Sequence, residues 1–302
     1  MARLVALLLL LLSPLAHAGT VGFELSFAPF RGALGDDEVT AVPGTATVWF
    51  NGILVAEEEV EAEPLMVLFD AREVSPAVWV TAGSNARLLR PGANTWKVSF
   101  VPDEADAPYA AQIRWSAIGD EVRTTETEDG ITSTNVVASG RADREAPGTT
   151  VFEGTFEADW VRRQDWHDWP AVTEVTPEDR TRIAALLAER AHWFAPPFEN
   201  LHTLLKRTDG IDARRIRRAM CLDAAWLAGL RITAVDPDQL DPELTGTPIV
   251  VLRGRPWEAD PTKLDKLRSD EKAFCAAVAL SVAYAVPTRV VRAPDGSWSF
   301  LR

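Results

Sequence analysis

Four consecutive residues, Trp166-His167-Asp168-Trp169, form the densest group of potential ligand-binding side chains in the sequence. Two indole rings could stack on a sugar ring while the imidazole and the carboxylate hydrogen-bond its hydroxyls. Because buried aromatic residues pack more often than they bind, the first expectation for the two tryptophans is a wedge between two domains. The four residues are also the candidate ligand-binding group, which would line that domain junction.

The same histidine offers a metal-binding alternative. His167, together with His192 or His202 and a carboxylate, could hold a transition metal. The histidines lack the i, i+4 spacing that makes such a pattern specific. The sequence therefore predicts no metal site, and a metal-handling protein is kept as an alternative.

Arginines are concentrated at one place in the otherwise acidic chain, at Arg214, Arg215, Arg217 and Arg218. Guanidinium groups bind phosphate and carboxylate groups well, so the run could hold a phosphate or an acidic polysaccharide. The alternative is a solvated helix face that pairs with acidic residues of the first half, where each exposed pair adds only ~0–1 kcal/mol. We expect Arg214, Arg217 and Arg218 to form an anion contact that adjoins the Trp166–Trp169 group.

The catalytic motifs that can be recognised from local spacing are missing. The sequence holds no Gly-x-Ser-x-Gly, no His-Glu-x-x-His, no P-loop and no Gly-x-Gly-x-x-Gly. Paired carboxylates need no local spacing, so a hydrolase acting on envelope polymers stays open as the competing class. The prediction is a protein without catalytic residues and without a cofactor.

The first eighteen residues have the layout of a secretory signal peptide. Arg3 is followed by an unbroken apolar run from Leu4 to Leu12 and by the small-residue end Ala16-His17-Ala18. Nine apolar residues span only about half of the ~30 Å hydrocarbon core of a membrane, and no later run approaches the ~20 residues of a transmembrane helix. Residues 1–18 are therefore predicted to be cleaved, which would leave a periplasmic or extracellular protein without a transmembrane segment.

Cys221 and Cys275 are the only cysteines of the chain. In an oxidising compartment an even pair favours a disulfide, although two buried thiols acting as small hydrophobic residues are the alternative. Arg217 and Arg218 could also activate Cys221 as a nucleophile. A catalytic cysteine needs a positioned base, and all histidines of the mature chain precede Cys221, contrary to the papain-like order.

Charge divides the chain into two parts. The net charge is −13, which argues against a nucleic-acid binder that relies on overall basic charge. Residues 19–120 hold 6 basic and 15 acidic side chains, whereas residues 171–302 hold 19 and 18. Such a shift indicates two modules with different surroundings.

Residues 19–118 are predicted to form an antiparallel β-sandwich. Phe23, Leu25 and Phe27 alternate with other residues, and the run from Thr45 to Phe50 is β-branched and aromatic. Asn51-Gly52 follows it at once and predicts a tight hairpin. Residues 119–148 are polar and are predicted to be a hairpin around Asp129-Gly130 or a linker.

Two segments within residues 45–101 resemble a known type of module. The stretches Val48-Trp49-Phe50-Asn51-Gly52-Ile53-Leu54-Val55 and Leu88-Leu89-Arg90-Pro91-Gly92-Ala93-Asn94-Thr95-Trp96-Lys97-Val98 are similar to signatures of jelly-roll, galactose-binding-like sandwich modules. Such modules accompany many exported glycosidases. The resemblance implies a jelly-roll sandwich and assigns no ligand-binding residue, because the sugar-binding loops of the family are variable.

Residues 149–302 are predicted to form a helix-rich α+β domain. Thr176-Pro177 has the pattern of a helix start, and a long helix is expected from Asp260 to about Ala285 with Phe274 on its buried stripe. The fold class is therefore α+β with two domains. The predicted function is an exported, non-catalytic binding or scaffolding protein whose partner is an envelope protein or a glycan; its oligomeric state stays open.

Overall fold

The computed structural model describes residues 22–35, 38–68, 72–80, 85–105, 107–127, 130–158, 161–208, 211–267 and 270–301. The predicted signal peptide, residues 1–18, lies outside these ranges. The described residues before Val161 form eleven strands: β1 (Gly22–Arg31), β2 (Glu38–Ala41), β3 (Gly44–Phe50), β4 (Ile53–Val60), β5 (Pro64–Leu68), β6 (Glu73–Val74), β7 (Val78–Val80), β8 (Gly92–Pro102), β9 (Pro108–Thr127), β10 (Gly130–Pro147) and β11 (Thr150–Ala158).

These strands form two antiparallel sheets that pack face to face. The first sheet has the order β10-β9-β1-β2-β5-β6, with β7 pairing the N-terminal part of β1, and the second has the order β11-β8-β3-β4. In β3 and β8 alternate residues point inward, as the sequence pattern predicts. The core between the sheets is rich in phenylalanine, with the fully buried rings Phe23, Phe27, Phe50, Phe100 and Phe152.

Strands β9 and β10 form a hairpin that is longer than the rest of the sheet. Within the described ranges, β1 pairs with β9 as far as Gly22 opposite Ile118, whereas β9 and β10 remain paired up to Thr127 opposite Gly130. Residues 119–148, expected to be a polar hairpin or a linker, contain the distal part of β9 and all of β10, while residues 128–129 at the expected turn lie outside the described ranges. β11 follows directly and hydrogen-bonds to β8 as an edge strand of the second sheet.

The rest of the described chain holds five α-helices and six short strands. They are α1 (Pro177–Ala191), α2 (Glu199–Lys206), α3 (Ala213–Ala219), α4 (Cys221–Leu227), β12 (Ile232–Ala234), β13 (Asp241–Leu244), β14 (Ile249–Arg253), β15 (Trp257–Ala259), α5 (Asp270–Ala283), β16 (Thr288–Arg292) and β17 (Trp298–Phe300). Helix α1 begins at the predicted position, where the Thr176 hydroxyl accepts from the Asp179 amide at 3.2 Å. The α+β fold class is therefore confirmed.

The expected long helix from Asp260 is wrong in two respects. A 3₁₀ turn at Pro261–Lys263 comes first, and α5 begins only at Asp270. Phe274, expected inside, is 72% exposed. Apolar residues surround this helix on nearly all sides, so their spacing does not indicate which face is buried.

The predicted disulfide between Cys221 and Cys275 is confirmed. It joins the start of α4 to α5 with a Cα–Cα distance of 6.0 Å, which lies within the usual range for a disulfide. The bond crosslinks the core of the helical part, to which Leu201, Leu222 and Ala276 also belong.

The small sheet β13-β14-β16-β17 connects the two halves of the molecule. On one face of β14, Ile249 and Val251 join the core of the sandwich; on the other face, Val250 and Leu252 pack in the core that contains α1. Arg289 of β16 extends from this sheet to β4, where its guanidinium donates to two backbone carbonyls, those of Leu54 and Val55, at 3.1 Å each. The two halves are therefore joined through the two faces of one small sheet.

Candidate functional site

Trp166, the first residue of the predicted ligand-binding group, is part of the sandwich core. It lies in a short 3₁₀ turn, Asp165–Asp168, and its side chain is only 5% exposed. The guanidinium carbon of Arg90 lies 5.4 Å from the centre of its indole, and the His167 ring meets it edge-on at 4.2 Å. Because Arg90, His167 and the sandwich core cover the Trp166 indole, little of the ring is free to stack on a ligand.

The three residues after Trp166 lie at the surface of the same turn. His167 is half-buried, its Nδ1 accepts from the Gln164 amide at 3.2 Å, and burial, with the nearby Arg90, lowers its pKa. Asp168 is exposed and ion-paired with Arg163, which lowers the pKa of Asp168. Trp169 packs partly buried against the sandwich core. The structure thus keeps the four residues together as a turn seated on the sandwich.

The arginine run lies elsewhere, on α3 in the helical half. Asp212 caps this helix by accepting from the amides of Arg214 and Arg215 at 3.1 and 2.9 Å. Arg217 lies 3.7 Å from Glu199 of α2. The buried side of α3 belongs to the core of the helical part, whereas Trp166 belongs to the sandwich core. Among the described residues no contact joins the arginines to the Trp166–Trp169 group.

A groove of about 610 Å³ lies on the outer face of the first sheet, and sequence reasoning did not identify it. Its central row follows from strand register: Trp79 of β7 pairs with Ser26 of β1, which pairs with Arg114 of β9, which pairs with Arg141 of β10. Directly paired residues point to the same face, and adjacent strands lie about 4.8 Å apart. The row therefore extends about 14 Å across four strands.

A second row lies beside the first. Glu24, two residues before Ser26 on β1, pairs with Ser116 of β9, and Ser116 pairs with Ser139 of β10. All three side chains line the groove. The groove therefore offers hydroxyl groups and a carboxylate next to the guanidinium groups.

The segment after Arg72 forms one side of the groove and is fixed by side chains of the first sheet. Arg114 is ion-paired with Glu73 and donates to the Val74 carbonyl at 2.9 Å. The buried amide of Gln112 accepts from the Val74 amide at 2.9 Å and donates to the Arg72 carbonyl at 3.2 Å. These hydrogen bonds hold the groove in one shape without a ligand.

Charges within the groove are largely balanced. Arg114 is neutralised by Glu73, and Arg141 lies 2.9 Å from Asp143. Glu24 adds one carboxylate. Trp79 is the large aromatic side chain of the groove that is open to solvent, with 56% of its area exposed. A flat apolar ring beside balanced donors and acceptors suits an uncharged polyhydroxylated ligand.

A smaller hollow of about 420 Å³ lies on the outer face of the second sheet and differs in one important respect. Of its two tryptophans, Trp96 is buried and Trp49 is covered by Lys97, whose Nζ lies 3.9 Å from the centre of the Trp49 ring. Glu153 and Thr155 complete its polar lining. Because the indole face is already occupied, this hollow offers a poorer platform for stacking than Trp79 does.

The described residues offer neither a metal site nor a membrane-spanning helix. They contain no group of three or more His, Cys, Asp or Glu side chains placed to hold a metal ion, and none of their helices is long and apolar enough to cross a bilayer. Comparison with known proteins adds no assignment: no family model, no curated protein and no solved structure matches this chain. The groove of the first sheet is therefore the candidate functional site.

Proposed function

We propose that the protein is an exported, non-catalytic binding protein of the cell envelope that holds a glycan in the groove of the first sheet. The observation that carries the proposal is the row from Trp79 through Ser26 and Arg114 to Arg141. Here a solvent-exposed indole lies in line with polar side chains across four neighbouring strands. The volume of the groove falls in the range of small-molecule sites.

The chemistry of the groove favours a sugar over an anionic or apolar ligand. Both guanidinium groups already have carboxylate partners, so the groove has no large excess of positive charge for a phosphate. The indole of Trp79 can cover the C–H face of a sugar ring. The hydroxyls of Ser26, Ser116 and Ser139 can donate to or accept from its hydroxyl groups.

Export is supported by two observations. The sequence begins with the three-part pattern of a signal peptide. Independently, the two cysteines are joined in a disulfide, a bond that persists mainly outside the cytoplasm. Envelope and extracellular glycans are therefore the sugars that this protein would meet.

The competing hydrolase would need two carboxyl groups facing each other across the bound sugar, one of them able to donate a proton to the leaving group. The groove contains Glu24 and Glu73, but Glu73 is engaged in its ion pair with Arg114. This arrangement supports binding without turnover. Incubation with a bound glycan should therefore release no new reducing ends.

The proposal is tested by screening the purified protein on an array of bacterial envelope and plant cell-wall glycans, followed by calorimetry on the best ligand. Trp79→Ala should weaken binding about ten-fold, because a central aromatic platform contributes more than 1 kcal/mol to such contacts. Trp49→Ala, on the outer face of the other sheet, is the matched control and should leave affinity unchanged. Absence of any glycan ligand, or a Trp79→Ala variant that binds as well as the wild type, would refute the assignment.

A further inference from the structure

The helical half carries a cluster of exposed apolar side chains on α4 and α5. Leu227 is 83% exposed, Phe274 72% and Met220 57%. With Arg214 and Arg218 of the adjoining α3, we refer to these residues as the α4–α5 surface. Monomeric soluble proteins rarely expose several large apolar side chains close together, so this surface is a candidate site of interaction with a protein or a membrane.

Three features place these residues close together. The Cys221–Cys275 bond brings the neighbours of Met220 and Phe274 to a Cα–Cα distance of 6.0 Å. Met220 is the left-handed N-cap of α4, with a φ of 50°, and Leu227 is the last residue of that helix, so about 10 Å along the helix axis separates them. Arg215 lies 3.6 Å from Glu271, one turn before Phe274, and so joins α3 to α5.

Positive charge adjoins the apolar side chains. Arg215 and Arg217 have carboxylate neighbours in Glu271 and Glu199. Arg214 and Arg218 are exposed and form no ion pair with any other described residue. Asp223, the acidic residue of α4, is half-buried and interacts with His202. Asp270, one turn before Phe274 on α5, is also exposed and forms no ion pair with another described residue, so beside these apolar side chains two free arginines face one free carboxylate.

The shape of the surface points to a membrane more than to a groove-filling protein. Side chains that are 72–83% exposed project into solvent and do not line a cleft. Projecting apolar residues beside arginines are the combination that inserts into the boundary between lipid headgroups and acyl chains. The acidic residues of the chain are concentrated in the other half of the molecule, which favours approach to an anionic surface with the helical half first.

We propose that the α4–α5 surface attaches the protein peripherally to an anionic phospholipid membrane. Phe274, Leu227 and Met220 enter the headgroup region, and Arg214 and Arg218 contact lipid phosphates. This proposal is independent of glycan binding, because the groove lies on the sandwich.

The test is sedimentation of the mature, disulfide-bonded protein with vesicles of equimolar phosphatidylglycerol and phosphatidylcholine, compared with pure phosphatidylcholine. Binding should require the anionic lipid and weaken strongly at about 1 M salt, where the Debye length is about 3 Å. Phe274→Ser and Leu227→Ser should each weaken binding about ten-fold. Arg214→Gln with Arg218→Gln should weaken it about 25-fold, since each arginine near an anionic surface contributes about five-fold.

Matched controls distinguish binding by this surface from nonspecific adsorption of any exposed apolar side chain to vesicles. Met66→Ser removes an equally exposed apolar side chain, 62% exposed on the sandwich, and should not change vesicle binding. All the substituted residues are exposed, so circular dichroism and thermal unfolding should match the wild type. The proposal is overturned if the wild type does not prefer anionic vesicles, if Met66→Ser acts like Phe274→Ser, or if sedimentation without lipid shows that Phe274 instead mediates self-association.

Discussion

A single methyl group added at Gly140 should disturb the aromatic core beneath the groove. Gly140 of β10 pairs directly with Trp115 of β9, and the indole lies across the glycine. A Cβ at this position would lie 2.6 Å from Cε2 and 2.8 Å from Cζ2 of Trp115. The ring cannot easily withdraw, because it stacks on Phe23 at 5.8 Å and contacts Phe156 at 5.0 Å.

The expected cost follows from overpacking. Forcing extra volume into a packed core costs about 1–3 kcal/mol, so Gly140→Ala should lower the free energy of unfolding by that amount in urea titrations followed by tryptophan fluorescence. Gly35→Ala is the matched control. Apart from its chain neighbours, no described residue has a heavy atom within 4 Å of a Cβ there, and the change should be neutral or stabilising by about 0.4–1 kcal/mol through a smaller entropy of the unfolded chain.

A double-mutant cycle identifies the cause. In a Trp115→Leu background the indole is gone, so Gly140→Ala should cost at least 1 kcal/mol less than it does in the wild type. If the cost is the same in both backgrounds, or if Gly140→Ala is as harmless as Gly35→Ala, then the contact between glycine and indole does not limit this position and the reasoning fails.

Two further predictions concern buried polar groups. Arg289→Met should lower the free energy of unfolding by about 2–4 kcal/mol in a urea titration, because it leaves the carbonyls of Leu54 and Val55 without this donor. The control Arg182→Met removes an exposed ion pair and should change the free energy of unfolding by less than about 0.5 kcal/mol. Equal effects of the two substitutions would contradict the role of Arg289 in joining the small sheet to the sandwich. Burial alone would raise the pKa of Asp179, but hydrogen bonds from Trp298 and Thr176 outweigh burial and lower this pKa from its ordinary value of 3.8. The ionised carboxylate therefore stabilises the fold above pH 3.8, and this stabilisation is lost as the pH falls through the lowered pKa. The difference in unfolding free energy between wild type and Asp179→Asn should therefore be full near pH 6 and shrink below pH 3.8, and a difference that does not depend on pH would contradict this role.

Features encoded by neighbouring residues could be predicted from the sequence. The Asn51-Gly52 hairpin forms as expected, with Asn51 at a φ of 52°. The turn before β8 is also local, since Asn94 accepts from the Arg90 amide and donates to the Gly92 carbonyl, both at 2.8 Å. The structure adds that the two predicted segments meet, because the Asn51 amide donates to the Asn94 side chain at 2.8 Å.

Features that depend on strand register could not be predicted. Trp79, Ser26, Arg114 and Arg141 are unremarkable outward-facing residues of four different strands, and only the pairing of those strands aligns them. A shift of one residue in any strand would turn its side chain to the other face. The sequence instead directed attention to Trp166, as a packed wedge first and a ligand-binding residue second, and only the structure shows that it is buried in the sandwich core.

The small sheet links the groove of the sandwich to the helical half. Ile249, Val251 and Val291 of the small sheet are buried with the phenylalanines of the sandwich, so the small sheet moves with the groove. The opposite face of that sheet packs on α1, and Tyr284, just after α5, donates from its hydroxyl to the Arg190 carbonyl of α1 at 3.1 Å. The groove and the α4–α5 surface are thus connected by packed elements. A glycan held in the groove would be presented at a fixed orientation to the membrane on which the helical half rests.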